Sequence, residues 1–283
     1  MTQQPQPVFE EAAIAASAPV ALYAFPARAW KRDEYAALQD AVPVLTVVSE
    51  PGSEAAWAGD SVDAMAERYA RAIASREEAK GRPIALFGWS VGALVALEVA
   101  RLLRERFDIA WVGTVDIAAY PQMRAALAGA PALDAAERDP LDASLQQWLA
   151  RSAMRDLWQQ TLGRMARAHH DMFLREVVRA YGASLPADGP AAGSQEHTLW
   201  SRVNCLRLGI AHVVADEVPA PVRWWMSQEM SASPGVPTAG VEVIAGSDHM
   251  GVLADRALHA AVLRELEAAE TEEKQAGVRI QQN

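Results

Sequence analysis

Gly88-Trp89-Ser90-Val91-Gly92 is the segment of this chain best suited to covalent chemistry. A serine stands between two glycines, after the apolar run 83–87 and before the helix-like run 93–106. That order is the layout of a nucleophile elbow, a tight strand-to-helix turn with the serine at its tip. Glycine is needed on either side because the turn brings the backbone close to its neighbours. The Ser90 hydroxyl is then expected at the N-terminus of the following helix, where unpaired N–H groups and the helix dipole favour an oxyanion. The N–H of Val91, directly after the serine, is expected to supply one such donor. The pentapeptide is common by chance and takes its meaning from the strand before it and the helix after it.

A serine hydroxyl needs a positioned base, and the base a carboxylate that fixes its tautomer. In this kind of fold the order along the chain is serine, acid, histidine. Asp116 ends the apolar run 110–115 and is expected at the carboxyl edge of the sheet, where ligand groups gather. Of six histidines, His249 follows the last predicted strand and the turn Gly246-Ser247-Asp248, which places it on a loop at the same edge. His169 and His170 fall in helical runs, and His197, His212 and His259 read as ordinary loop or helix residues. Asp248, beside His249, is the rival for the acid. A second oxyanion donor is expected from the loop 25–30 after an early strand, with Ala27 or Arg28 as the candidate.

These groups meet only if the right elements carry them. Short apolar runs at 20–25, 44–48, 83–87, 110–115, 221–226 and 241–244 read as buried strands. They alternate with helical patterns at 61–80, started by an Asp60 or Ser61 cap and striped by Met65, Tyr69 and Ile73, at 93–106, and at 253–269. Such alternation predicts an α/β fold, with a mostly parallel sheet covered on both faces. Between 120 and 214 the pattern is helical without strands, as in an inserted lid, with Trp148, Trp158, Met165, Met172 and Phe173 among its apolar positions. The expected organisation is a loose lead-in over 1–17, a core over 18–119 and 215–270, the lid over 120–214, and a flexible tail over 271–283. Trp224 and Trp225 alternate on a core strand, one of them a candidate for facing the lid's pocket.

Composition narrows the setting. Half of the 283 residues are apolar, enough for a sizeable core, and no apolar run is long enough to span a membrane. The N-terminus lacks the pattern of a signal peptide, and the single cysteine, Cys205, leaves no internal disulfide. A cytoplasmic protein is expected. A formal charge of −10 argues against nucleic acid as partner. Against it, residues 151–179 carry six arginines and three acidic residues, a candidate docking surface for a phosphate or an acidic partner.

Together, residues 20–30, 61–73, 84–101 with Gly88-Trp89-Ser90-Val91-Gly92-Ala93, Val115-Asp116 and 246–253 resemble the thioesterase domains of nonribosomal peptide and polyketide synthases. The resemblance spans roughly residues 18–265 and is weakest in the insertion. It implies an α/β-hydrolase fold with a variable lid. It also implies a Ser90–His249–Asp116 triad, with Val91 N–H as oxyanion donor. Such a site takes an acyl or peptidyl chain from the phosphopantetheine thiol of a carrier protein and releases it to water or to an internal nucleophile. The implied partner is the acyl or peptidyl carrier protein; no cofactor of the chain's own is implied. Two departures stand out. The early loop reads Pro26-Ala27-Arg28-Ala29 where members often have glycines. Ala93 follows Gly92, a pair commoner in freestanding editing members, whereas Trp89 is typical of chain-terminal ones. Product release and proofreading are both open on this reading. An ordinary carboxylester hydrolase and a non-catalytic carrier-binding module are the alternatives.

Overall fold

The aliphatic runs become strands for the reason their composition gives: continuous Val, Leu, Ile and Ala with no polar alternation suits a strand covered on both faces. They are β1 (Val8–Glu10), β2 (Ala21–Phe25), β3 (Leu45–Ser49), β4 (Ile84–Trp89), β5 (Ile109–Val115), β6 (Val222–Ser227) and β7 (Val241–Ile244). Every residue of β2, β3 and β4 is buried. The helices are α1 (Ala36–Ala41), α2 (Val62–Glu77), α3 (Val91–Leu103), α4 (Gln228–Ser231) and α5 (Arg256–Gln281). Ser61 caps α2, its side chain accepting the Ala64 N–H at 3.2 Å.

The computed structural model describes residues 6–28, 31–51, 60–117, 134, 136, 205, 208, 209, 212, 220–231 and 240–281. The chain divides into two compact units, one of Met1–Glu54, Ser61–Ala119 and Val214–Asn283, the other of Ala55–Asp60 and Tyr120–Val213. The expected lid over 120–214 lies almost wholly outside the described residues. With it go the arginines of 151–179, His169, His170 and His197. The architecture below is that of the first unit.

Among the described residues, seven strands form one sheet in the order β1-β3-β2-β4-β5-β6-β7. All pairs are parallel except β1 with β3, so the predicted α/β class with a mostly parallel sheet is what the chain adopts. Alternation along each strand divides the core. Leu22, Ala24, Phe87, Trp89, Trp111 and Trp225 join Leu38 of α1 and Leu258, Val262 and Leu266 of α5 in one cluster. The neighbours on β2 turn the other way: Phe25 stacks on Tyr69 of α2, and Tyr23 donates to Glu77 at that helix's end. Each fully buried aliphatic or aromatic side chain contributes about 1.5–3 kcal/mol relative to exposure, and this double layer fixes the strand register.

Two expectations need correction. The segment before β2 is not loose throughout: Val8–Glu10 adds an antiparallel edge strand, and Phe9 packs edge-on to Tyr23 with ring centroids 5.8 Å apart. Three residues are too short a run for periodicity to reveal. At the other end α5 continues past the expected stop near 269 to Gln281. Glu, Ala, Lys and Gln carry it on, with neither glycine nor proline between 267 and 276.

The register brings the functional ends together. Phe25 lies beside Gly88, Trp89 beside Val115, Val115 beside Trp225, and Ser227 beside Ile244. The residues that follow β2, β4, β5, β6 and β7 therefore leave the sheet along one edge. Among the described residues no helix is long and apolar enough to cross a membrane.

Candidate active site

At the end of β4 the chain turns sharply into α3. Ser90 has φ 56° and ψ −124°, a conformation that non-glycine residues rarely adopt. Its N–H donates to Val115 O at 2.9 Å, and its carbonyl accepts the Ala93 N–H at 3.1 Å. The two glycines are steric necessities. A Cβ on Gly88 would fall 2.2 Å from the Gly92 carbonyl oxygen, and one on Gly92 only 1.9 Å from the carbonyl oxygen of Phe25. Ser90 is thus held at the head of α3, with Val91 as the first helical residue.

Asp116 is the first residue after β5 and is fully buried at its side chain. Its N–H donates to Trp225 O at 3.1 Å, tying it to β6. Oδ1 accepts the Ser227 N–H at 2.7 Å, and both carboxylate oxygens lie within reach of the Ser227 hydroxyl, at 3.1 and 2.9 Å. Oδ2 also meets Nδ1 of His249 at 2.8 Å. An ionised carboxylate only accepts, so Nδ1 carries the proton and Nε2 is left as the basic nitrogen. Both oxygens of Asp116 are occupied by donors, an arrangement that orients an imidazole rather than offering ligands to a cation.

His249 is gripped from two sides. Its ring packs on the Trp89 indole, with centroids 4.8 Å apart and planes 36° apart, which sets the imidazole beside the elbow. Its main-chain N–H donates to the Glu229 carboxylate at 2.8 Å, and the Gly246 N–H donates to the Gln228 side chain at 2.5 Å. The segment Ser227-Gln228-Glu229 therefore holds the aspartate and the histidine loop together. Sequence reading missed it. The available signal was its position: it follows the strand next to Asp116, at the edge where every other functional residue was sought.

The early loop is organised by residues the sequence did not single out. Ala27 donates its N–H to Oε2 of Glu34 at 3.0 Å, and Arg28 donates its Nε–H to Oε1 at 2.5 Å. Burial pushes the Glu34 carboxyl up, and the Arg28 guanidinium pulls against it. Tyr35, fully buried, donates its hydroxyl to Phe25 O at 2.9 Å and accepts the Trp89 N–H at 3.0 Å. Burial raises the Tyr35 hydroxyl well above the usual phenol range, so it stays a donor. Both candidates for a second oxyanion donor have their main-chain N–H groups drawn toward Glu34. Residues 29 and 30 of the loop lie outside the described residues.

The remaining candidates fall elsewhere. Asp248 uses Oδ1 to accept the Gly251 N–H at 2.6 Å, a side-chain contact that shapes the loop after His249. His259 lies on α5 with Nε2 2.9 Å from Leu253 O, and the His212 N–H bonds Leu208 O at 3.1 Å. Cys205 is half-buried. Trp225 packs in the core against Phe87 and Trp111, while Trp224 is half-buried.

A family model described as a thioesterase domain matches residues 22–183. Among solved structures, the thioesterase domain of NocB in covalent complex with a fluorophosphonate nocardicin G analogue is similar with a TM-score of 0.52 at 16% identity, covering 92% of this chain and 99% of that one. RedJ, a thioesterase from the prodiginine biosynthetic pathway of Streptomyces coelicolor, gives 0.51 at 21% identity, with 89% and 87% covered. YbtT, a type II thioesterase from the yersiniabactin pathway, gives 0.50 at 18% identity, with 93% and 99% covered. At these identities the likeness is one of fold, the α/β-hydrolase fold. No curated protein sequence matches the chain.

Proposed function

The chain belongs to the thioesterase domain family, and from that premise we propose that it hydrolyses or cyclises an acyl or peptidyl chain held as a thioester on the phosphopantetheine of a carrier protein. Ser90 is the nucleophile, His249 the base and Asp116 the orienting acid. The observation that carries the reading is the 2.8 Å contact from His249 Nδ1 to Asp116 Oδ2, at the sheet edge where Ser90 opens α3. Nε2 of His249 takes the proton of Ser90 Oγ as that oxygen attacks the thioester carbonyl. The tetrahedral oxyanion is received by Val91 N–H and a main-chain donor of the early loop, Ala27 or Arg28. Collapse of the intermediate breaks the C–S bond, and the thiol leaves with the proton His249 carries. His249 then activates water, or a hydroxyl or amine of the chain itself, to release the product from Ser90. A thiolate is a good leaving group, so the base and the oxyanion donors dominate the rate.

The carrier's phosphopantetheine belongs to the substrate, and the chain supplies no cofactor of its own in this scheme. The setting we infer is cytoplasmic natural-product assembly, which the nocardicin, prodiginine and yersiniabactin origins of the similar structures support. The test is labelling with a fluorophosphonate and kinetics on a carrier-bound acyl thioester against a free aryl ester. We expect one adduct, on Ser90, and a higher kcat/KM for the carrier-bound thioester. Asp116→Asn should lower kcat by about 10³–10⁴-fold, because it allows the wrong imidazole tautomer. Folded protein that resists the probe would point to a non-catalytic carrier-binding module. Preference for the free ester would point to an ordinary carboxylester hydrolase.

A further inference from the structure

An oxyanion hole works only if its donors are held to within about 0.5 Å of the place the charge develops. Val91 N–H meets that demand through α3. The donor on the early loop does not inherit such support, because residues 26–28 leave the end of β2 without a regular element to carry them. We propose that Glu34 and Tyr35, adjacent residues just before α1, are the positioning residues of this loop, Tyr35 fixing it to the elbow and Glu34 fixing its conformation. The inference rests on the serine-hydrolase reading above.

Two independent contacts carry it. The single oxygen of Tyr35 bridges the last residue of β2 and the residue before Ser90, since it donates to Phe25 O and accepts from Trp89 N–H. It therefore sets the distance between the start of the loop and the start of the elbow. The absence of a side chain at Gly92 lets the Phe25 carbonyl approach α3 closely enough for this bridge to work. Glu34 acts one step further along the loop. Its two oxygens take the Ala27 N–H and the Arg28 guanidinium, and the carboxylate is nearly fully buried while doing so. The Ala27 N–H is thereby turned toward Glu34, and the Arg28 main-chain N–H also bonds that carboxylate, so one side chain sets the conformation of both residues. The Arg28 guanidinium also neutralises the carboxylate, so the loop is fixed without placing an unpaired negative charge near a developing oxyanion.

The test compares wild type with Tyr35→Phe, Glu34→Ala and Glu34→Gln. Each is assayed for kcat and KM on an acyl thioester, and for inhibition by a trifluoromethyl ketone, whose serine adduct puts an oxyanion in the hole. Rates are taken per active site titrated with fluorophosphonate, so unfolded protein does not count. Losing a donor outright costs about 10²–10³-fold, so a displaced one should cost about 10–100-fold. We expect Tyr35→Phe and Glu34→Ala to lower kcat by that factor with KM within about twofold, and to weaken the ketone in parallel. Glu34→Gln, which keeps an oxygen for Ala27 N–H, should recover part of the loss. Unchanged kcat, or a kcat loss with undiminished ketone affinity, overturns the proposal. If wild type itself gives no Ser90 adduct, the hydrolase reading fails first, an outcome distinct from equal reactivity of wild type and variants.

Discussion

Gly92→Ala puts two physical effects of opposite sign against each other. Gly92 is the second residue of α3, and in a helix interior alanine is favoured over glycine by about 1 kcal/mol. Propensity alone therefore predicts a more stable protein. The structure predicts the reverse. The new Cβ would lie 1.9 Å from the Phe25 carbonyl oxygen, 2.8 Å from its carbon and 3.0 Å from the carbonyl carbon of Pro26. Ordinary contact needs roughly 3.5 Å, so the Phe25–Pro26 backbone must retreat by about 1.5 Å. Phe25 cannot do so cheaply, because it is paired to β4 beside Gly88 and its carbonyl accepts the Tyr35 hydroxyl. Overpacking of this kind typically costs 1–3 kcal/mol, and breaking a buried hydrogen bond adds about 1 kcal/mol. Less the propensity gain, we expect a net loss of about 1–3 kcal/mol in urea denaturation, which a domain of ordinary stability survives folded. The loop it displaces is the one proposed to hold the second oxyanion donor. A misplacement near 1 Å costs about 10²-fold in rate, so kcat per titrated Ser90 should fall by that factor or more. A Gly92→Ala protein at least as stable as wild type, with kcat within about threefold, would refute the packing argument.

Ser227→Ala removes the hydroxyl that touches both Asp116 oxygens and accepts the Met230 N–H, while the main-chain N–H to Oδ1 stays. We expect kcat to drop about tenfold at constant KM, with about 1 kcal/mol lost in stability; an effect on KM alone would argue against a role in holding the aspartate. Glu77 governs acid stability at a distance from the site. Burial would raise its carboxyl, but hydrogen bonds from Arg82, Tyr23 and Lys80 outweigh burial and hold it at about 2. A carboxyl depressed in the folded state contributes stability that is present above its unfolded value near 4.3 and is lost as pH falls toward 2. The contribution is on the order of 3 kcal/mol, so the stability gap between wild type and Glu77→Gln should close between pH 5 and 2, and a gap independent of pH would contradict it.

The parts of the fold that were legible in the sequence are those whose cause is local. The runs at 84–89 and 109–115 are apolar without alternation, and the strand–glycine–serine–glycine–helix order has one common structural solution. His249 was legible because it is the histidine that follows a strand and a tight turn. What escaped is what depends on partners distant in sequence. Ser227 matters only because β6 lies beside β5, and nothing in Trp-Trp-Met-Ser says so. Glu34 and Tyr35 carry no local signal; the sheet places Phe25 and Trp89 where the Tyr35 hydroxyl spans them. The Ala27 N–H is taken by a carboxylate seven residues on, a loop contact without periodicity. Val8–Glu10 is a strand because Ser49, Val48 and Val47 are there to pair with it, not because three residues prefer to extend.

Backbone strain and register explain together why Ser90 and Asp116 come level. Among the described residues they are the two non-glycine positions with positive φ, at 56° and 58°. Each directly follows the last residue of its strand, and these last residues, Trp89 and Val115, are paired. Such conformations cost about 1–3 kcal/mol each, and persist because neighbouring strands over-determine them: Ser90 N–H bonds Val115 O, and Asp116 N–H bonds Trp225 O. The pairing itself depends on an irregularity lower down. Ile84 pairs with Ile109, but Ala85 pairs with Trp111, so Ala110 is an extra residue in β5. A bulge of this kind shifts everything beyond it by one position. Without it Trp89 would face Thr114, and Ser90 would face Val115. Because side chains alternate between faces, that slip would put the aspartate one step past the serine and on the opposite side. The spacing of the proposed nucleophile and acid is therefore set at the far end of the sheet, by one unpaired alanine, and the strained turns at the near end convert that register into two side chains at one edge.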